Sequence, residues 1–215
     1  MQPTLDIYVT LRSPYSYLAC GRIVELATAY TGPVRFRPVY PIAIRMPDFF
    51  EKSDPMWLAY LLRDTARVAE MNGIPFARPD PDPIVQDLET SRVAPEQPYI
   101  RRLTRLTAAA EDHGAGLAFY AGLSRLIFGD MGSWNVTERL QAVALGAGLD
   151  LAMLDGEIDA DPDGVDALIA RNEEAQRQAG HWGTPLLVFD GEPFFGQDRI
   201  TMCRWRIEQV GLLPG

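Results

Sequence analysis

A short apolar strand runs into a helix start within the first fourteen residues, and that junction limits the folds open to this chain. Leu5 to Val9 reads as a strand. Ser13 and Pro14 follow, a residue that caps helix N-termini and one favoured at the first helical position. Ala19, Ile23, Val24, Ala27 and Tyr30 then recur at helical spacing, and Thr31-Gly32-Pro33 ends the helix. Val34 to Val39 alternates apolar and basic residues, as a second strand does. Residues 5–39 therefore spell strand, helix, strand, a unit whose strands pair in parallel.

The far end returns to strand. Leu186 to Phe189 is an apolar run, Asp190-Gly191 is a hairpin turn, and Pro193 to Phe195 is the return strand. Ile200, Cys203, Ile207 and Val210 mark one face of a last helix, closed by Gly211. The middle is helical. Asp54-Pro55 starts a helix with Leu58, Leu61, Leu62, Thr65 and Ala69 as its stripe, stopped by Asn72-Gly73. Pro79, Pro81 and Pro83 make residues 76–83 a loop. Further helices are expected from Tyr99 to Phe128, broken at Gly114–Gly116, from Asn135 to Leu145 and from Asp163 to Gln178. No strand signal appears between residues 50 and 180. The order is βαβ, a helical block, then ββα. The expected class is α/β: a thioredoxin-like domain from residues 1–45 and 180–215, with an inserted helical domain over 46–179.

Charge narrows the partners. A net charge of -9 and a pI near 4.7 argue against nucleic acid and against an anionic membrane surface. Residues 1–6 carry no secretory signature, and no apolar run reaches the roughly 18 residues of a membrane span. Two cysteines, Cys20 and Cys203, and two histidines, His113 and His181, show no metal-ligand spacing, so no metal is expected. A reducing cytoplasm is the expected home. The acidic stretch from Asp155 to Asp166 lacks calcium-loop spacing and reads as a solvated helix boundary. Phe119, Tyr120 and Phe128 read as core.

Three segments carry the candidate chemistry. Ser13-Pro14-Tyr15-Ser16 stands where thioredoxin-like oxidoreductases hold Cys-x-x-Cys. Serine forms no disulfide, so redox exchange by this motif is excluded. What remains is a helix N-terminus with free N–H groups and a hydroxyl donor, suited to stabilising a bound thiolate. Helix capping alone is the simpler reading of Ser13. No histidine lies near it in sequence to make it a nucleophile. Cys20 lies about two helical turns further on and cannot stand in. Gly183-Thr184-Pro185 precedes the strand at Leu186. In a thioredoxin-like layout this proline is cis, and Thr184 offers its backbone to an extended ligand. Gly196-Gln197-Asp198-Arg199 opens the last helix, with Asp198 either a cap or a ligand for the ends of a γ-glutamyl group.

In combination, Ser-Pro-Tyr-Ser-Tyr-Leu-Ala at 13–19, Tyr60-x-x-x-Asp64-x-x-Arg67-x-Ala69 followed by Asn-Gly-Ile-Pro, Gly183-Thr184-Pro185, and Phe-Phe-Gly-Gln-Asp-Arg at 194–199 resemble the 2-hydroxychromene-2-carboxylate isomerases. That family is similar to kappa-class glutathione transferases within the DsbA group. The resemblance implies glutathione as cofactor and a soluble homodimer acting on a small aromatic substrate. It implies Ser13 as the catalytic serine, Gly183, Thr184 and Pro185 against the cysteinyl backbone of glutathione, and Gln197 and Asp198 on its γ-glutamyl end. Tyr15 and Trp182 are expected beside the substrate. The family's lysine ahead of the Tyr60 position is Trp57 here, and its strand aspartate is Thr10; Arg45, Arg63 or Arg67 are candidates to replace the charge. A kappa-like transferase and a non-catalytic thioredoxin-like peptide binder are the alternative expectations.

Overall fold

The computed structural model describes residues 2–87, 89–90, 92–130 and 132–213. A four-stranded sheet lies at its centre in the order β2-β1-β3-β4. Strand β1 (Leu5–Val9) pairs in parallel with β2 (Val34–Pro38), in the register Leu5 to Val34. It pairs antiparallel with β3 (Leu186–Phe189), which in turn forms a hairpin with β4 (Glu192–Phe195). All five residues of β1 are buried, as a central strand requires. Asp190 at the hairpin corner takes φ 50° and Gly191 φ 82°, the left-handed pair that the two-residue turn demands.

Helix α1 (Pro14–Ala29) connects β1 to β2. Its Ser13 cap accepts a hydrogen bond from the Ser16 N–H at 3.2 Å, and Pro14 occupies the first helical position. Between β2 and β3 lie two short helices, α2 (Ile42–Arg45) and α3 (Phe49–Lys52). They are followed by α4 (Pro55–Asn72), α5 (Pro98–Asp112), α6 (Gly116–Phe128), α7 (Thr137–Gly146), α8 (Leu151–Ala160) and α9 (Pro162–Gln178). A 3₁₀ turn, Gln197–Arg199, leads into α10 (Ile200–Glu208). Asp54, Asp150 and Asp161 cap α4, α8 and α9 with their carboxylates. The Gly114 break separates α5 from α6 as expected.

Some expectations change. Leu62 is not part of the α4 stripe: it is 60% exposed, and Thr65, Val68 and Ala69 make the buried face. Val210 lies past the end of α10 and is exposed, leaving Ile200, Cys203 and Ile207 as its buried face. The acidic stretch contains the end of α8 and the start of α9. Helix α8 itself was not separable in sequence, because its polar residues hide the short buried stripe of Leu151, Leu154 and Ile158. A single hydrophobic cluster joins β1 and α1 to α5, α6, α7 and α8, with Phe119, Tyr120 and Phe128 inside it.

Candidate functional site

The N-terminus of α1 faces the loop before β3. The Ser13 hydroxyl lies 3.3 Å from the Thr184 carbonyl oxygen, and the Thr184–Pro185 bond is cis. At 3.3 Å this hydroxyl donates weakly, outside the usual O–H···O range. Its proton is therefore easily redirected to a better acceptor. Among the described residues, the Thr184 N–H donates to no acceptor. Thr184 is half-buried, and a backbone N–H without a partner there suits pairing with an extended ligand, as an added strand would provide.

The loop carrying Thr184 is braced from behind. Gln176, fully buried on α9, donates its Nε2 to the Gly183 carbonyl at 2.7 Å. Its Oε1 accepts from Arg45 Nη1 at 2.9 Å. Arg45 also donates to the Trp182 carbonyl at 2.9 Å and the Tyr40 carbonyl at 2.6 Å. Arg45 is thereby committed to structure and does not replace the charge absent at Trp57. Neither Gln176 nor Arg45 has a sequence pattern that announces this role. The Gly183 N–H donates to His181 Nδ1 at 2.8 Å, so that nitrogen carries no proton. The imidazole stacks on Phe195 at 3.7 Å between ring centroids. A Cβ on Gly183 would fall on the Phe195 ring and 2.9 Å from His181 Cε1, which explains the glycine.

Burial lowers the His181 pKa from its ordinary 6.5. A histidine depressed in the fold contributes stability above its unfolded pKa and loses it as pH falls through the folded value. Melting temperature should therefore decline below about pH 6.5, and a His181→Asn variant should lack that step. An identical acid decline in the variant would place its origin elsewhere.

Tyr15, two residues after Ser13, donates its phenol to Asp64 Oδ2 at 2.6 Å. Burial and this hydrogen bond push the Tyr15 phenol well above its ordinary value, so it stays protonated. Tyr60 approaches the other Asp64 oxygen at 3.4 Å. Tyr60 and Asp64 share one face of α4 at i, i+4, the only sequence signal for this grouping. Trp182, 42% exposed, stacks on His181 and meets Phe49, which also packs on Trp57. The result is an aromatic wall beside the loop, with Trp57 inside it. Thr10 lies behind, with a buried hydroxyl that finds no partner among the described residues.

Gln197 and Asp198 come together at the turn before α10. Gln197 Oε1 accepts from Arg22 Nη2 at 2.6 Å, and Asp198 pairs with Arg199 at 2.7 Å. The cysteines take no part in the site. Burial pushes both the Cys20 and Cys203 thiols up to about 12, where neither supplies a thiolate near neutrality. Among the described residues no cluster of histidine, cysteine and carboxylate side chains has a metal-binding arrangement. No helix there is long and apolar enough to cross a membrane.

The family model for the DSBA-like thioredoxin domain matches residues 4–208. Among solved structures, a 2-hydroxychromene-2-carboxylate isomerase superposes with a TM-score of 0.71 at 21% identity, covering 97% of this chain and 96% of that one. A probable DsbA oxidoreductase from Streptomyces coelicolor gives 0.68 at 19% identity, covering 98% and 90%. The cytosolic disulfide reductase DsbM from Pseudomonas aeruginosa, with GSH, gives 0.64 at 18% identity, covering 98% and 100%. These likenesses establish the fold. No curated protein matches in sequence.

Proposed function

We propose that this chain, which belongs to the DSBA-like thioredoxin domain family, is a glutathione-dependent isomerase of 2-hydroxychromene-2-carboxylate or a related aromatic intermediate. The observation that carries the reading is the opposition of a serine-capped helix N-terminus to a cis-proline loop with a free N–H, in a chain whose own thiols are buried. Two structures of the same fold support it, one an isomerase of that substrate and one a reductase with GSH.

Bound here, glutathione supplies a thiolate that can add to an unsaturated substrate and leave unchanged. The Ser13 hydroxyl donates to the sulfur in place of its long contact to Thr184. The first-turn N–H groups of α1 add the positive end of the helix dipole. The Thr184 N–H and C=O hold the cysteinyl backbone, and Gln197 with Asp198 hold the γ-glutamyl end. Tyr15 and Trp182 flank the space beside the sulfur, where a flat aromatic acid stacks on the exposed Trp182 ring. Tyr15, whose proton is held by Asp64, accepts a hydrogen bond from a substrate hydroxyl.

Calorimetry with reduced glutathione should show binding. Incubation with 2-hydroxychromene-2-carboxylate should then yield trans-o-hydroxybenzylidenepyruvate with the glutathione recovered. A stable conjugate accumulating instead would convert the reading to a kappa-like transferase. Absence of glutathione binding at millimolar concentration would overturn both and favour a peptide-binding module.

A further inference from the structure

Arg22 emerges from the middle of α1, remote in sequence from Gln197, yet the two side chains meet at 2.6 Å. A guanidinium has only donors, so the oxygen of the Gln197 amide must face it. The Gln197 NH₂ group then projects away from α1. Arg22 is half-buried and lies close enough to Asp198 to feel its charge. Asp198 is held by Arg199 in an exposed pair, whose partner is readily exchanged. The carboxylate of Asp198 turns back over Gly196, where φ is 104° and a Cβ would stand 2.8 Å from Asp198 Oδ1. The turn thus presents an oriented N–H donor next to an anionic acceptor. That pair complements the carboxylate and ammonium of a free α-amino-acid end.

We infer that Arg22 is a positioning residue that fixes the Gln197 amide with its NH₂ group toward the ligand, so that the Gln197–Asp198 turn selects a free γ-glutamyl terminus. Without Arg22 nothing anchors the Gln197 side chain at the turn, and its oriented hydrogen bond to the ligand carboxylate is lost. The inference rests on the glutathione reading above and assigns to it a residue outside the three sequence segments.

Calorimetry with reduced glutathione and with cysteinylglycine, which lacks the glutamyl group, tests it. In the parent, glutathione should bind more tightly than cysteinylglycine. Arg22→Met should lower glutathione affinity about tenfold, the loss of one oriented hydrogen bond to a charged group, while leaving cysteinylglycine unchanged. Arg22→Lys, which keeps one donor toward Gln197, should recover part of the loss. Gln197→Glu keeps the Arg22 contact but sets a carboxylate against the ligand, so it should show the same selective loss with the fold intact. Parent-like glutathione affinity in Arg22→Met, or equal losses for both ligands, would overturn the assignment. A parent that binds no glutathione removes the reading on which it stands, a result distinct from either of these.

Discussion

Ser13→Ala should lower glutathione-dependent turnover by about tenfold to a hundredfold while the protein stays folded. The hydroxyl at the start of α1 points at the Thr184 loop, and on the proposed reading its hydrogen bond to the glutathione sulfur, made to an anion, would contribute about 1.5–3 kcal/mol. The backbone N–H groups of α1 remain in the variant, and the dipole contributes a further 0.3–2 kcal/mol at most, roughly. Removing the hydroxyl therefore removes the larger part. The bound thiol should titrate about one to two units higher, read by thiolate absorbance. Loss of the cap costs about 1 kcal/mol, a melting shift of only a few degrees in a chain of this size. Unchanged turnover, or a turnover loss that follows unfolding alone, would reduce Ser13 to a helix cap.

Gln176→Leu should be the most destabilising single change at the loop. Leucine fills most of the same volume, so packing is nearly retained. The Gly183 carbonyl, however, loses its 2.7 Å donor in a buried place, and Arg45 loses one of its three acceptors. A buried group left unsatisfied costs about 1–3 kcal/mol, more when its partner is charged. A total of about 2–5 kcal/mol lowers the melting temperature by roughly 5–15 °C. Because the same bonds set the position of Thr184, glutathione binding should weaken in parallel even where the variant is folded. A variant melting within a degree or two of the parent would show that the loop is held by other contacts.

Much of this protein is legible in its sequence because local rules decide it. Ser13-Pro14, Asp54-Pro55 and Gly73 mark helix ends through their own hydrogen bonds and φ angles, and each does so in the structure. Asp190-Gly191 fixes the hairpin for the same reason. The cis bond at Pro185 follows from its place in the element order rather than from any local signal. Where packing rather than local chemistry decides, the pattern misleads. Leu62 satisfies a helical stripe and still faces outward, because α4 buries only a narrow edge against its neighbours. Helix α8 is largely apolar but short, and its acidic residues from Asp155 on run into the start of α9, so its bounds are set by packing on α5 and α7 rather than by a pattern of its own.

The site divides in the same way. That residues 13–16 open a helix without a reactive cysteine, and that a Thr-Pro step precedes the third strand, can be read from the residues alone. These follow from side-chain chemistry at adjacent positions. What supports them depends on the packed fold. Arg22 meets Gln197, Gln176 and Arg45 meet residues 182–183, and Tyr15 meets Asp64 across separations of 7 to 175 residues. No periodicity links such pairs. Their partners are chosen by where the sheet order β2-β1-β3-β4 and the packed helices place each side chain, and a buried donor or acceptor must find its match there.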